Sequence, residues 1–247
     1  MYASPIIVDT TGKGFHLTPA DDGVVFDIVG DGHPIKMAWT AADSGNAFLA
    51  LDRNHDGRID SGKELFGNVT SQPKSDEPNG YLALAEFDRP QNGGNGDGII
   101  DSRDAVYSRL LLWIDENHDG ISQPSELHTL PELGVFSISL HYADDHHDDP
   151  YGNWFHYKAV LNPNPLDGTS KDGRWTYDVF FDVAQSGDGS TGQSRPWRPR
   201  RRNEWQLLVV EASFRNGVLY DGPELGSVLS RKTCQVKRDG DNAGGQR

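Results

Sequence analysis

Residues 115–126, DENHDGISQPSE, limit what this chain can fold into more than any other stretch. Side-chain oxygens recur at every second position, on Asp115, Asn117 and Asp119, and Gly120 follows at once. Glu126 closes the run. Such spacing can replace the water shell of a hard cation such as Ca²⁺, which takes roughly six to eight oxygens. Gly120 permits a turn that a side chain would block, and Glu126 can offer two oxygens. A solvated turn also favours Asp, Asn and Gly, but it does not call for a closing glutamate.

Two further stretches repeat the pattern imperfectly. In residues 52–64 the donors are Asp52, Asn54, Asp56 and Asp60, but Lys63 holds the expected closing place and Glu64 follows one residue late. Gly62 can absorb the extra residue as a bulge. In residues 88–104 the second half fits through Asn95, Asp97, Ile99 and Asp101. Counting back from Asp97 reaches Gly93, which has no side-chain oxygen, so Asp88 serves only if the intervening residues bulge outward. Asp104 closes this run with a shorter reach than glutamate. Asp9 and Asp27 begin two weaker versions that read as hairpin turns, the second with Asp31 as a further donor for a weak ion.

The flanking sequence predicts an α+β fold. Residues 1–42 read as short N-terminal β-hairpins. Residues 43–51 read as helical, and residues 81–87 as a short helix capped by Asn79. Val106, Leu110 and Trp113 form an apolar stripe that predicts a helix from Asp101 or Ser102 to Ile114. Residues 127–133 read as a short exit turn. Residues 135–142, 154–161 and 174–183 return to strand character, rich in aromatic and β-branched residues. The Asp144–Asp149 turn, DDHHDD, has the residue types of a transition-metal site. No second cluster at a matching spacing completes one, so a solvated loop is the reading.

Composition narrows the partners. The chain of 247 residues carries 37 Asp+Glu against 23 Lys+Arg, a net charge of −14. From Arg195 onward there are 11 basic and 6 acidic residues, so the part before it holds 12 basic and 31 acidic. A body so acidic repels phosphate backbones, which argues against nucleic acid. One cysteine, Cys234, rules out an internal disulfide within a single copy of the chain. No apolar run reaches membrane-spanning length. The start, MYASPIIVDT, lacks the basic beginning and apolar core of a signal peptide. The chain is then cytoplasmic, or its leader is missing from this sequence, or export uses another route. The expected organisation is a module over residues 1–184, a linker over 185–203, and a flexible tail over 204–247. The linker is Gly/Ser-rich and then basic, ending in RPWRPRRR.

The stretches SPIIVDT, DRNHDGRID with KELFGN, NGYLALAEFD, NGDGIID, LLLWIDENHDGISQPSEL and LPELGVFSISL together resemble a bacterial EF-hand-type calcium-binding module. Such modules are found in large secreted or surface proteins of the repeat-in-toxin and adhesin kind. The resemblance spans roughly residues 4–183 and departs at Ser122, where the family usually has a branched apolar residue. It implies a central loop–helix region, Ca²⁺ as cofactor, an extracellular or cell-surface setting and no established catalysis. It implies carboxylate or amide ligation by Asp52, Asn54, Asp56, Asp60, Glu64, Asp88, Asn95, Asp97, Asp101, Asp104, Asp115, Asn117, Asp119 and Glu126. Arg58, Ile99 and Ile121 would give backbone carbonyls. The ion would have a structural role or gate docking of an extracellular protein or polysaccharide. The alternative is a glycan-acting hydrolase with structural calcium, in which Trp39, Trp154 and Trp175 stack on sugars.

Overall fold

The computed structural model describes residues 3–184. The expected linker and tail lie outside the described residues. The architecture is mainly β, which corrects the α+β expectation. Ten strands run β1 (Ile6–Asp9), β2 (Val24–Phe26), β3 (Ile35–Met37), β4 (Asn46–Ala50), β5 (Ile99–Asp101), β6 (Leu111–Trp113), β7 (Leu127–Thr129), β8 (Ser137–Asp148), β9 (Trp154–Leu161) and β10 (Trp175–Phe180). One short helix, α1 (Gly80–Ala85), is the only α-helix among the described residues. Eight strands form one sheet in the order β5-β8-β9-β10-β1-β4-β6-β7, and β2 pairs with β3 apart from it. Every strand pairing is antiparallel.

The middle of the sheet is buried on both faces. Along β1, Ile6 and Val8 join one apolar cluster while Ile7 joins the other. Along β4, Ala47 and Leu49 face the first cluster and Phe48 and Ala50 the second. In β6, Leu112 and Trp113 divide in the same way. The period of two in side-chain direction forces this split. Each fully buried Leu, Ile or Phe stabilises the fold by about 1.5–3 kcal/mol. The first face is covered by α1, through Tyr81, Ala83 and Leu84, and by Val106, Tyr107 and Leu110. The second is covered by the β2–β3 hairpin and by Trp39, whose ring meets Phe48, Trp113 and Phe26.

This two-sided burial overturns two expected helices. Within residues 43–51 the chain turns and then forms β4, and the stretch from Asp101 to Ile114 runs from the end of β5 through a 3-10 turn (Tyr107–Arg109) to β6. The expected exit turn over 127–133 is β7 followed by a 3-10 turn (Pro131–Leu133). The helix capped by Asn79 is present: the Asn79 side chain accepts the Leu82 N–H at 3.0 Å. The strands expected over 154–161 and 174–183 appear as β9 and β10.

The edge strand β5 is much shorter than its neighbour β8. β5 pairs with residues 137–139 of β8, and Leu140 N–H adds one bond to Gly98 O at 2.9 Å. β8 itself runs for 12 residues, so the Asp144–Asp149 segment read as a turn lies mostly within a strand. Against β9 its register slips twice, between Ile138 and Tyr142 and between Asp144 and His147.

Candidate functional site: five loops folded around aspartates

The three main acidic stretches fall between sheet and turn elements, not between paired helices. In residues 115–126, which join β6 to β7, Asp115 Oδ1 accepts the Asp119 N–H at 3.1 Å, and Oδ2 accepts the Gly120 N–H at 2.8 Å. Asn117 Oδ1 also accepts the Asp119 N–H, and Asp119 Oδ1 accepts the Ile121 N–H at 2.8 Å. Glu126 Oε1 accepts from Glu116 N–H and Oε2 from Gln123 N–H. Two indoles reach in from the core. Trp39 Nε1–H donates to Asp115 Oδ2 at 2.7 Å, and Trp113 Nε1–H to Glu126 Oε2 at 3.3 Å.

Residues 52–64 repeat the arrangement. Asp52 accepts from His55 and Gly57 N–H, Asn54 from Asp56 N–H, and Asp56 from Arg58 N–H. Glu64 closes the loop, taking the Arg53 N–H at 3.1 Å and the Asp60 N–H at 3.0 Å. Lys63 offers its carbonyl to Arg53 Nε instead. Gly62 is needed here for a close approach: a Cβ would stand 1.7 Å from Ile28 O.

In residues 88–104 the outward bulge is a 3-10 turn (Pro90–Asn92). It lets Asp88 accept from Gly96 and Gly98 N–H, both at 2.9 Å. Asn95 accepts from Asp97 N–H and Asp97 from Ile99 N–H. Asp104 takes the Asn95 and Asp101 N–H groups. Asp101 turns outward to Arg103, which also meets Asp97.

The two weaker versions close the same way. Asp9 accepts from Gly12 and Gly14 N–H, and Asp27 from Gly30 and Gly32 N–H. In four loops the leading aspartate holds the amide of a glycine five residues on: Gly14, Gly32, Gly57 and Gly120. Those glycines have φ of +87°, +84°, +80° and +73°, a region that side chains disfavour. The sequence signal for this repeat is Asp-x₄-Gly, and it marks Asp9 and Asp27 as members, beyond the three main loops.

The loops are also tied to one another. Ser122 Oγ accepts the Ile59 N–H at 2.7 Å and donates to Ile59 O at 3.1 Å, so a buried hydroxyl joins residues 52–64 to residues 115–126. Ile121 is 58% exposed and does not take the apolar role. Gly62 N–H donates to Asp27 O at 2.8 Å, adding the Asp27 loop to the group. Burial raises the pKa of Asp115, Glu64 and Asp104, partly offset by the amides that each accepts. The Arg103 side chain lowers that of Asp101.

Among the described residues, no group of three or more His, Cys, Asp or Glu side chains converges as a metal site would. At residues 115–126 all four terminal oxygens of Asp115 and Glu126 already accept protein donors. Of the tryptophans expected to stack on sugars, Trp39 is fully buried and Trp154 nearly so, while Trp175 is half-buried.

The SPM domain model matches residues 6–182. The iron-regulated protein FrpA of Neisseria meningitidis serogroup C is 42% identical over 143 residues, which is 57% of this chain and 12% of that protein. The matching family is thus not an EF-hand family, and the loops lack flanking helix pairs. The expectation of an EF-hand calcium-binding function is corrected on both grounds.

Proposed function

The chain belongs to the SPM domain family, and from that premise we propose that it is a non-catalytic structural module of a longer protein. The aligned region is a small fraction of FrpA, 12% of its length. The name of that relative speaks of iron control of that protein and not of a ligand for this one.

One observation carries the reading. The carboxylates of Asp115 and Glu126 are spent on closing their own loop, indole donors from the core hold them there, and the Ser122 hydroxyl ties that loop to Ile59. The result is a stiff β-scaffold that presents acidic loop tips at fixed places, suited to docking an extracellular protein or a polysaccharide. Incubation of the purified chain with peptide and glycan arrays should show retention without chemical change. Release of a cleaved product, lost in Asp115→Asn, would overturn it.

Ca²⁺ is a separate proposal for a cofactor and does not restore the EF-hand assignment. With 31 acidic residues before Arg195, a divalent counter-ion would relieve like-charge repulsion on folding. Thermal melting with Ca²⁺, with Mg²⁺ and with chelator tests this, and a Ca²⁺-specific rise in midpoint is expected. Identical midpoints would dismiss it. The exported setting is likewise proposed, and fractionation of cells producing the full gene product checks it.

A further inference from the structure

Two imidazoles meet where β8 slips against β9. Asp144 pairs with Tyr157 and His147 with Phe155, so Asp145 and His146 together oppose the single residue His156. This is a β-bulge, a device that re-aims a side chain. Asp145 is held elsewhere, by the Tyr177 hydroxyl at 2.6 Å and Lys158 Nζ at 2.7 Å. His146 is left over His156, with ring centroids 4.8 Å apart and planes tilted by 34°. Trp154 lies against both rings, and Phe180 lies beside His156.

His146 Nε2 and His156 Nδ1 are both buried without a hydrogen-bond partner. His156 is 5% exposed. Bare buried polar atoms are uncommon, and an ion or an ordered water is the usual reason. Two imidazoles on one ion, each at about 2.0–2.1 Å, place their ring centroids roughly 5 Å apart. The observed 4.8 Å spacing accommodates such an ion.

We propose that His146 and His156 form a binding site for a borderline transition-metal ion such as Zn²⁺, completed by water or a small anion. Two protein nitrogens leave coordination positions open, which separates this site from a closed structural one. Burial holds the His156 pKa down at about 4, so the ring is neutral and its lone pair available at ordinary pH. The site is independent of the acidic loops and of the proposed function.

The test is calorimetric titration of the tag-free full chain with Zn²⁺ alone, followed by NMR of the imidazole nitrogens. Saturable one-to-one binding is expected, with both histidine resonances shifted. His146→Gln should weaken binding by about tenfold or more, while His147→Gln on the neighbouring position should leave it unchanged. Because His156 is in the core, His146→Gln carries the test if His156→Gln fails to fold. Three outcomes overturn the proposal: no Zn²⁺ uptake, equal loss in His147→Gln, or an imidazole–imidazole hydrogen bond that persists in the presence of Zn²⁺.

Discussion

Asp178 offers a sharp test of the packing described above. It sits on β10 with its side chain fully buried. Oδ2 accepts the Gly80 N–H at the start of α1, at 2.6 Å, while Oδ1 and the nearby Ser4 Oγ make no hydrogen bond of normal geometry. Burial pushes its pKa from 3.8 up to about 7, with the Gly80 amide and Ser4 offsetting part of the effect. The folded value lies above the unfolded one, so the folded protein holds the extra proton between about pH 4 and pH 7. This group's contribution is therefore most favourable below that window, falls as pH rises through it, and stays unfavourable above it. The difference between 3.8 and about 7 corresponds to on the order of 4 kcal/mol. Asp178→Asn imitates the protonated acid: its carbonyl can take the Gly80 N–H and its amide faces Ser4. Urea denaturation at pH 4.5, 6 and 8 should find the variant close to the parent at the lowest pH. At pH 8 it should be more stable by up to about 4 kcal/mol. A stability difference that does not grow with pH, or a variant weaker at pH 8, would refute the argument.

Ser122→Ala leaves the buried Ile59 N–H without its partner and should cost about 1–3 kcal/mol; faster hydrogen exchange at Ile59 would locate the effect. Trp39→Phe keeps an aromatic ring but removes the donor to Asp115, and a loss of about 1–3 kcal/mol in urea melts is expected. Gly62→Ala drives a methyl into Ile28 O and should destabilise by about 3 kcal/mol or more, read as a fall in thermal midpoint. Asn79→Ala removes the cap of α1 and should cost about 1 kcal/mol.

The loops were legible because their geometry is local. A leading Asp, alternate amide and carboxylate, and a Gly with left-handed φ fix the backbone within a few residues. Glu64 in place of Lys63, and the bulge before Asn95, followed from counting positions. What surrounds the loops was not local. Leu112 and Trp113 are both buried, one on each face of β6, so the apolar run around them has no alternation to mark a strand. Such a run fits a helix stripe equally well. The same holds for residues 46–50, where every position of β4 is buried. The His146–His156 contact was hidden for another reason. It depends on a register slip between two strands, and nothing in DDHHDD or WFHYK encodes the slip alone.

The overhang of β8 beyond its short neighbour β5 has a consequence for handling the protein. An uncovered strand rim is a template onto which another copy can add by backbone pairing. Here the overhang carries Asp144 and Asp148, with Asp149 just past its end. These acids set neighbouring molecules against each other, and high salt screens that repulsion. Concentrated stocks should therefore keep longest in dilute buffer, and fibrils formed at high salt should nucleate along this rim.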